Sequence, residues 1–177
     1  RTARCRGGDS RSGGDGMTRM EFFAPGDPAP QGSKRHVGNG VMIESSKKVK
    51  PWRSAVHAEA VDAMRVNDGT FPLDGALAVD LTFYRRMPAS RKAVDRKRGW
   101  RWATTKPDID KLVRSTLDAL TSAGLIADDA RIARLAATKC ETYAGETGVL
   151  VEVRTITEGD TPMTTTDETA DDLTERS

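Results

Sequence analysis

Between residues 110 and 123 the side chains Leu112, Val113, Thr116, Leu117 and Leu120 fall on one stripe of a 3.6-residue period, and Gly124 follows at once. This pattern predicts an amphipathic helix of defined extent, because glycine is best suited to the left-handed turn that ends one. Ahead of it Leu77, Val79, Leu81 and Phe83 alternate with Ala78, Asp80, Thr82 and Tyr84, the period-two signature of a strand with one buried face. A helix stripe and a strand face must each be covered, and the economical solution is to cover one another. A second helix is expected over residues 51–64, where Trp52, Val56, Ala60 and Ala63 or Met64 keep near-helical spacing and Pro51 suits the first turn. Further strands are expected at residues 20–24, in a hairpin over residues 36–43 around Gly38-Asn39-Gly40, and at residues 132–143 and 148–156. The last two read as a hairpin joined through Ala144-Gly145-Glu146-Thr147. The order β, ββ, α, β, α, β, β gives a single α+β domain, a mixed or antiparallel sheet packed with two main helices.

At 177 residues there is room for about one domain. It is expected at residues 17–157. Residues 1–16 hold almost nothing that can be buried and read as a disordered leader, with Met17 or Met20 the expected natural start; residues 158–177 read as a disordered acidic tail. The formal charge of +2 averages regions of +2, +6 and −6 in that order. A basic body of this kind suits a polyanionic partner. No run of about 18 apolar residues and no secretory signal is present, so neither membrane spanning nor secretion is expected, and the compartment expected is the cytoplasm. Cys5 and Cys140, with His36 and His57, offer neither a disulfide framework nor a cysteine-based zinc site.

The densest charge lies between the main strand and the main helix. Arg85, Arg86, Arg91, Lys92, Arg96, Lys97, Arg98, Arg101 and Lys106 are nine cations against Asp95 in 22 residues, a net +8 loop. A solvated charge run would explain a scattered set, but so dense a cluster repels itself unless a polyanion relieves it, which favours phosphate contact. Trp100 and Trp102 interleave with these cations. Each ring either stacks on an unpaired base or anchors the loop to the core.

Next come Asp108 and Asp110 at the start of the helix and Asp128-Asp129 after its end. Carboxylates clustered beside a phosphate-binding surface suit Mg²⁺-assisted phosphodiester hydrolysis. Equally, an acid at a helix start is an ordinary cap and Asp-Asp an ordinary loop. A helix of about 12 residues is roughly 18 Å long, so Asp129 rejoins its start only if residues 125–128 double straight back; otherwise a partner chain must complete the site.

Residues 106–139 resemble the RusA family of Holliday-junction resolvases, whose hallmark is a D-x-D-N segment, a helix containing D-A-L and a following Asp-Asp. Here these are Asp108-Ile109-Asp110-Lys111, Asp118-Ala119-Leu120 and Asp128-Asp129. Pro28-Ala29-Pro30-Gln31-Gly32-Ser33-Lys34 and Lys50-Pro51-Trp52-Arg53 also look like phage members, so the likeness covers most of residues 20–156. The resemblance implies that Asp108, Asp110 and Asp129 bind Mg²⁺ (or Mn²⁺) and carry catalysis with Arg114. It also implies a homodimer that nicks opposed strands of a four-way or branched DNA, in a bacterial cell and encoded by a phage or prophage. Lys34, Arg35, Lys111 and the nine basic-loop residues are the expected DNA contacts. Two positions depart from the pattern: Lys111 replaces the usual Asn, and Arg114 stands where the family has a catalytic Lys. Arg114 is always protonated, so it suits charge stabilisation rather than proton transfer; an i,i+4 pair with Asp118 is the structural alternative. Those departures keep open a second reading, a non-catalytic DNA-binding relative with structural aspartates. A D-x-D glycosyltransferase fits less well, since the chain leaves little room for donor and acceptor sites.

Overall fold

A computed structural model describes residues 18–32, 34–36, 42–44, 47–157 and 159–160. The expected leader, the Gly38-Asn39-Gly40 turn and the tail from residue 161 onward lie outside them. In chain order the elements are β1 (Arg19–Pro25), β2 (Lys34–His36), β3 (Met42–Glu44), α1 (Val49–Arg65) and β4 (Leu77–Arg86). There follow α2 (Ala93–Arg98), β5 (Trp100–Trp102), α3 (Ile109–Ala123), a short 3-10 turn at Asp129–Arg131, β6 (Ile132–Thr142) and β7 (Gly148–Thr155). The class is α+β in a single domain, as the periodicity requires, and β2 and β3 pair antiparallel as the expected hairpin.

The main sheet is mixed, with strand order β1-β7-β4-β6-β5. β4 lies parallel to β6 and antiparallel to β7, which in turn pairs antiparallel with β1. The expected β6–β7 hairpin is therefore wrong: β4 lies between the two strands. Residues 143–147 step across it, a gap of about 10 Å that five residues easily bridge. The reason is burial. β4 turns Leu77, Val79, Leu81 and Phe83 inward and β7 does the same with Val149, Val151 and Val153, all at 1% exposure or less. β6 breaks its inward series with Lys139 and leaves Leu135 exposed, so it belongs nearer an edge.

Both long helices cover the same face. Trp52, Val56 and Ala60 of α1 and Leu112, Leu117 and Leu120 of α3 join the inward residues of β4 and β7 in one core. Gly124 closes α3 at φ 75°, in the left-handed region. A second correction concerns the basic loop, which is not a loop throughout: it holds the end of β4, the helix α2 and the edge strand β5. Among the described residues no helix is long and apolar enough to cross a membrane.

Candidate functional site

Asp108 sits at the N-cap of α3 with extended backbone, just after the cis Lys106–Pro107 peptide, yet its carboxylate makes no capping hydrogen bond. It accepts instead from Lys111 Nζ at 2.7 Å. That hydrogen bond and charge hold the Asp108 carboxyl below the usual carboxylate range, and the same contact raises Lys111. The segment resembling the family's Pro-rich start lies alongside. Gln31 N–H donates to Lys111 O at 3.0 Å, and the buried Ser115 hydroxyl donates to Ala29 O at 2.7 Å.

After Gly124 the chain does double back. Leu125 and Ile126 are buried; Leu73 N–H donates to Leu125 O at 2.8 Å and Ala127 N–H to Leu73 O at 2.9 Å. Asp128 then caps the 3-10 turn by accepting from Ala130 N–H at 2.8 Å. Its neighbour Asp129 is left facing an open groove of about 550 Å³ between α3 and β6, shared with Asp110 and Arg114 and lined by Ile109, Val113 and Leu135. One chain thus brings Asp110 and Asp129 together. Arg114 is exposed and does not pair with Asp118, which lies 3.6 Å from Arg53. Among the described residues the side chains of Asp110, Arg114 and Asp129 make no hydrogen bond or ion pair.

Asp108 lines a neighbouring groove of about 440 Å³ with Arg85, Lys106 and Lys111. The three aspartates therefore divide two and one, and among the described residues no three metal-ligating side chains meet. The donor chemistry still fits a hard divalent cation. Mg²⁺ takes one or two carboxylates and keeps several waters, and Asp110 and Asp129 offer two exposed, unpaired carboxylates in one groove.

The basic segment separates into two sets. Arg91 makes a bidentate contact with Glu141 at 2.8 and 2.7 Å, and Arg101 pairs with Asp95 at 3.1 Å and approaches Glu141 at 3.9 Å. Arg96 donates to Ala89 O at 2.8 Å and Arg85 to Lys106 O at 2.9 Å. These four hold the segment in shape. Arg86, Lys92, Lys97, Arg98 and Lys106 are exposed, and Lys34 and Arg35 lie on β2. Trp100 and Trp102, at 46% and 60% exposure, do not anchor the segment in the core.

Two organising residues escaped the sequence reading, Glu141 and Lys139, both on β6. Lys139 Nζ donates to Thr105 O at 2.9 Å and Pro107 O at 2.7 Å, pinning the approach to α3. Burial, with Arg85 adding to it, draws this ammonium below its ordinary range. Their partners lie more than thirty residues away in sequence, so no local spacing announces them.

The chain is thus a helix-backed mixed sheet of the α+β class, with two carboxylates and an arginine in one groove beside a cationic segment. The endodeoxyribonuclease RusA family model matches residues 25–154. An uncharacterized protein, YqaN of Bacillus subtilis (strain 168), is 30% identical over 147 residues, spanning 79% of this chain and 99% of that protein. The chain belongs to the RusA family of endodeoxyribonucleases, enzymes that act on DNA junctions.

Proposed function

We propose that the chain is a divalent-metal-dependent endonuclease that resolves four-way or other branched DNA by paired nicks, working as a homodimer. The observation that carries this reading is the groove shared by Asp110, Arg114 and Asp129, whose side chains are left unpaired in a protein of a DNA-cleaving family. Asp110 and Asp129 would hold Mg²⁺ or Mn²⁺ by their carboxylate oxygens, with Asp108 as the third ligand once Lys111 releases it for a phosphate. Such a cation would supply charge neutralisation at a phosphate and a lowered pKa for a bound water, the chemistry of hydrolysis to a 5′-phosphate and a 3′-hydroxyl. Arg114 adds charge stabilisation at the same phosphate and moves no proton, because a guanidinium stays protonated. Arg86, Lys92, Lys97, Arg98 and Lys106, with Lys34 and Arg35 from β2, grip the arms, while Arg85, Arg91, Arg96 and Arg101 keep the cationic segment in place. A twofold dimer matches the approximate twofold of an open junction, so each protomer cuts one of two opposed strands.

The test is cleavage of a labelled four-way junction against a linear duplex of the same sequence, with Mg²⁺, with EDTA and with Asp110→Asn. Metal-dependent paired nicks on the junction alone, abolished by the substitution, are the expected result. Binding without nicking in either Mg²⁺ or Mn²⁺ would show that the aspartates are structural here and that the chain is a DNA-binding relative.

A further inference from the structure

α1 and α3 cover one face of the main sheet; across the other, strand register sets out a row of aromatic rings. Trp102 is level with Cys140, Cys140 with Tyr84, and Tyr84 with Gly148. Phe23 lays its ring over Gly148, where an added Cβ would come within 2.7 Å of Cζ, and its centroid is 6.2 Å from that of Tyr84. One step along, Trp100 is level with Thr142 and hence with Arg86. The two tryptophans meet edge-to-face at 5.3 Å and 86°. Cys140 and Gly148 between the rings are buried, whereas Trp100 and Trp102 stand 46% and 60% exposed.

Charge on this face is unevenly spent. Arg19 pairs with Glu152, Arg134 with Asp80 and Arg154 with Asp160, whereas Arg86, beside the tryptophan end, is exposed and has no ion pair among the described residues. Exposed indoles beside an unneutralised guanidinium suit a base with its phosphate, since aromatic stacking serves any base and the cation tracks the backbone. β5 is held steady for such a role, because Arg101, between the two tryptophans, turns to the opposite face and is fixed there by Asp95 and Glu141.

We infer that the face no described helix covers, from Trp100 and Trp102 towards Tyr84, is a stacking platform for unpaired nucleobases of the DNA handled at the acidic groove. The inference rests on the proposed nuclease reading and adds to it the feature of the substrate that is recognised: bases freed at a branch point, on a strand that rounds the β5 edge.

Tryptophan emission tests it, because Trp52 is 2% exposed and so a change on binding reports Trp100 and Trp102. The full chain is titrated in EDTA with oligothymidine, with matched duplex and with a four-way junction. Oligothymidine and junction should alter the emission and duplex should not. Trp102→Ala should weaken oligothymidine binding about tenfold, and Trp102→Phe should retain most of it. Oligothymidine that leaves emission and affinity indifferent to Trp102, while the junction is still nicked in Mg²⁺, overturns the platform and leaves the nuclease reading standing. An emission change that follows protein concentration without DNA overturns it in favour of a second copy of the chain on this face. A junction neither bound nor nicked overturns both.

Discussion

A carboxylate at 1% exposure must be paired, and Glu141 meets that demand with guanidinium groups from Arg91 and Arg101. Glu141→Gln should lower stability by about 2–3 kcal/mol in a denaturant titration, because the charge-assisted bonds weaken and the partly buried Arg91 loses its counter-charge, while Arg101 keeps Asp95. The same substitution should loosen α2 and β5 and raise their amide exchange. At Asp108 the sign of the pH effect is set by Lys111, which lowers the folded carboxyl. The pair therefore supports the fold above the ordinary aspartate range of about 3.9, and that support is lost as pH falls through the folded value. Both groups are exposed, so the contribution is small. Lys111→Ala should let the Asp108 carboxyl rise towards its ordinary range, followed by carbon chemical shift through an acid titration; an unmoved value would mean that Lys111 is not the cause. At this scale the sequence offered candidates but not partners. Arg91 and Arg98 look alike in a list of cations, and only the distant Glu141 makes one a strut while the other stays at the surface.

At the scale of elements, legibility follows how local the determinant is. The stripe of α3, its ending at Gly124 and the alternation of β4 are written within a few residues, and all appear where the periodicity places them. The neighbours of β6 and β7 are decided by competition among strands for the sheet centre, which no window along the chain contains. α2 and β5 are short, and their charge overshadowed their conformation. For the site, the return of Asp129 to the start of α3 was posed by sequence as a condition, and the buried Leu125 and Ile126 fulfil it. Gly124 makes that return possible: Gly124→Ala, forced to keep φ 75°, should cost about 1 kcal/mol by thermal unfolding. Because the turn aims the chain that carries Asp129, any loss of the proposed metal-dependent cleavage beyond the loss of folded protein would measure how tightly turn and site are coupled.

For the whole molecule, five outward cations between Arg86 at the end of β4 and Lys106 predict binding that is steeply dependent on salt. The slope of log affinity against log salt should be about −4 per subunit, reduced by about 1 in each of Lys97→Ala and Arg98→Ala. A flat salt dependence would remove the segment from the DNA surface. Finally, the order of strands bears on how the protein is made. β7, the last strand among the described residues, is seated between β1 and β4 and pairs with both. Until residue 155 has left the ribosome, the first strand has no partner in the main sheet and the fourth lacks one edge. A nascent chain stalled before residue 148 should therefore be sensitive to protease and prone to self-association through those open edges. A chain that stops short of β7 therefore leaves the sheet behind α1 and α3 parted between β1 and β4, without Val149, Val151 and Val153 in its core.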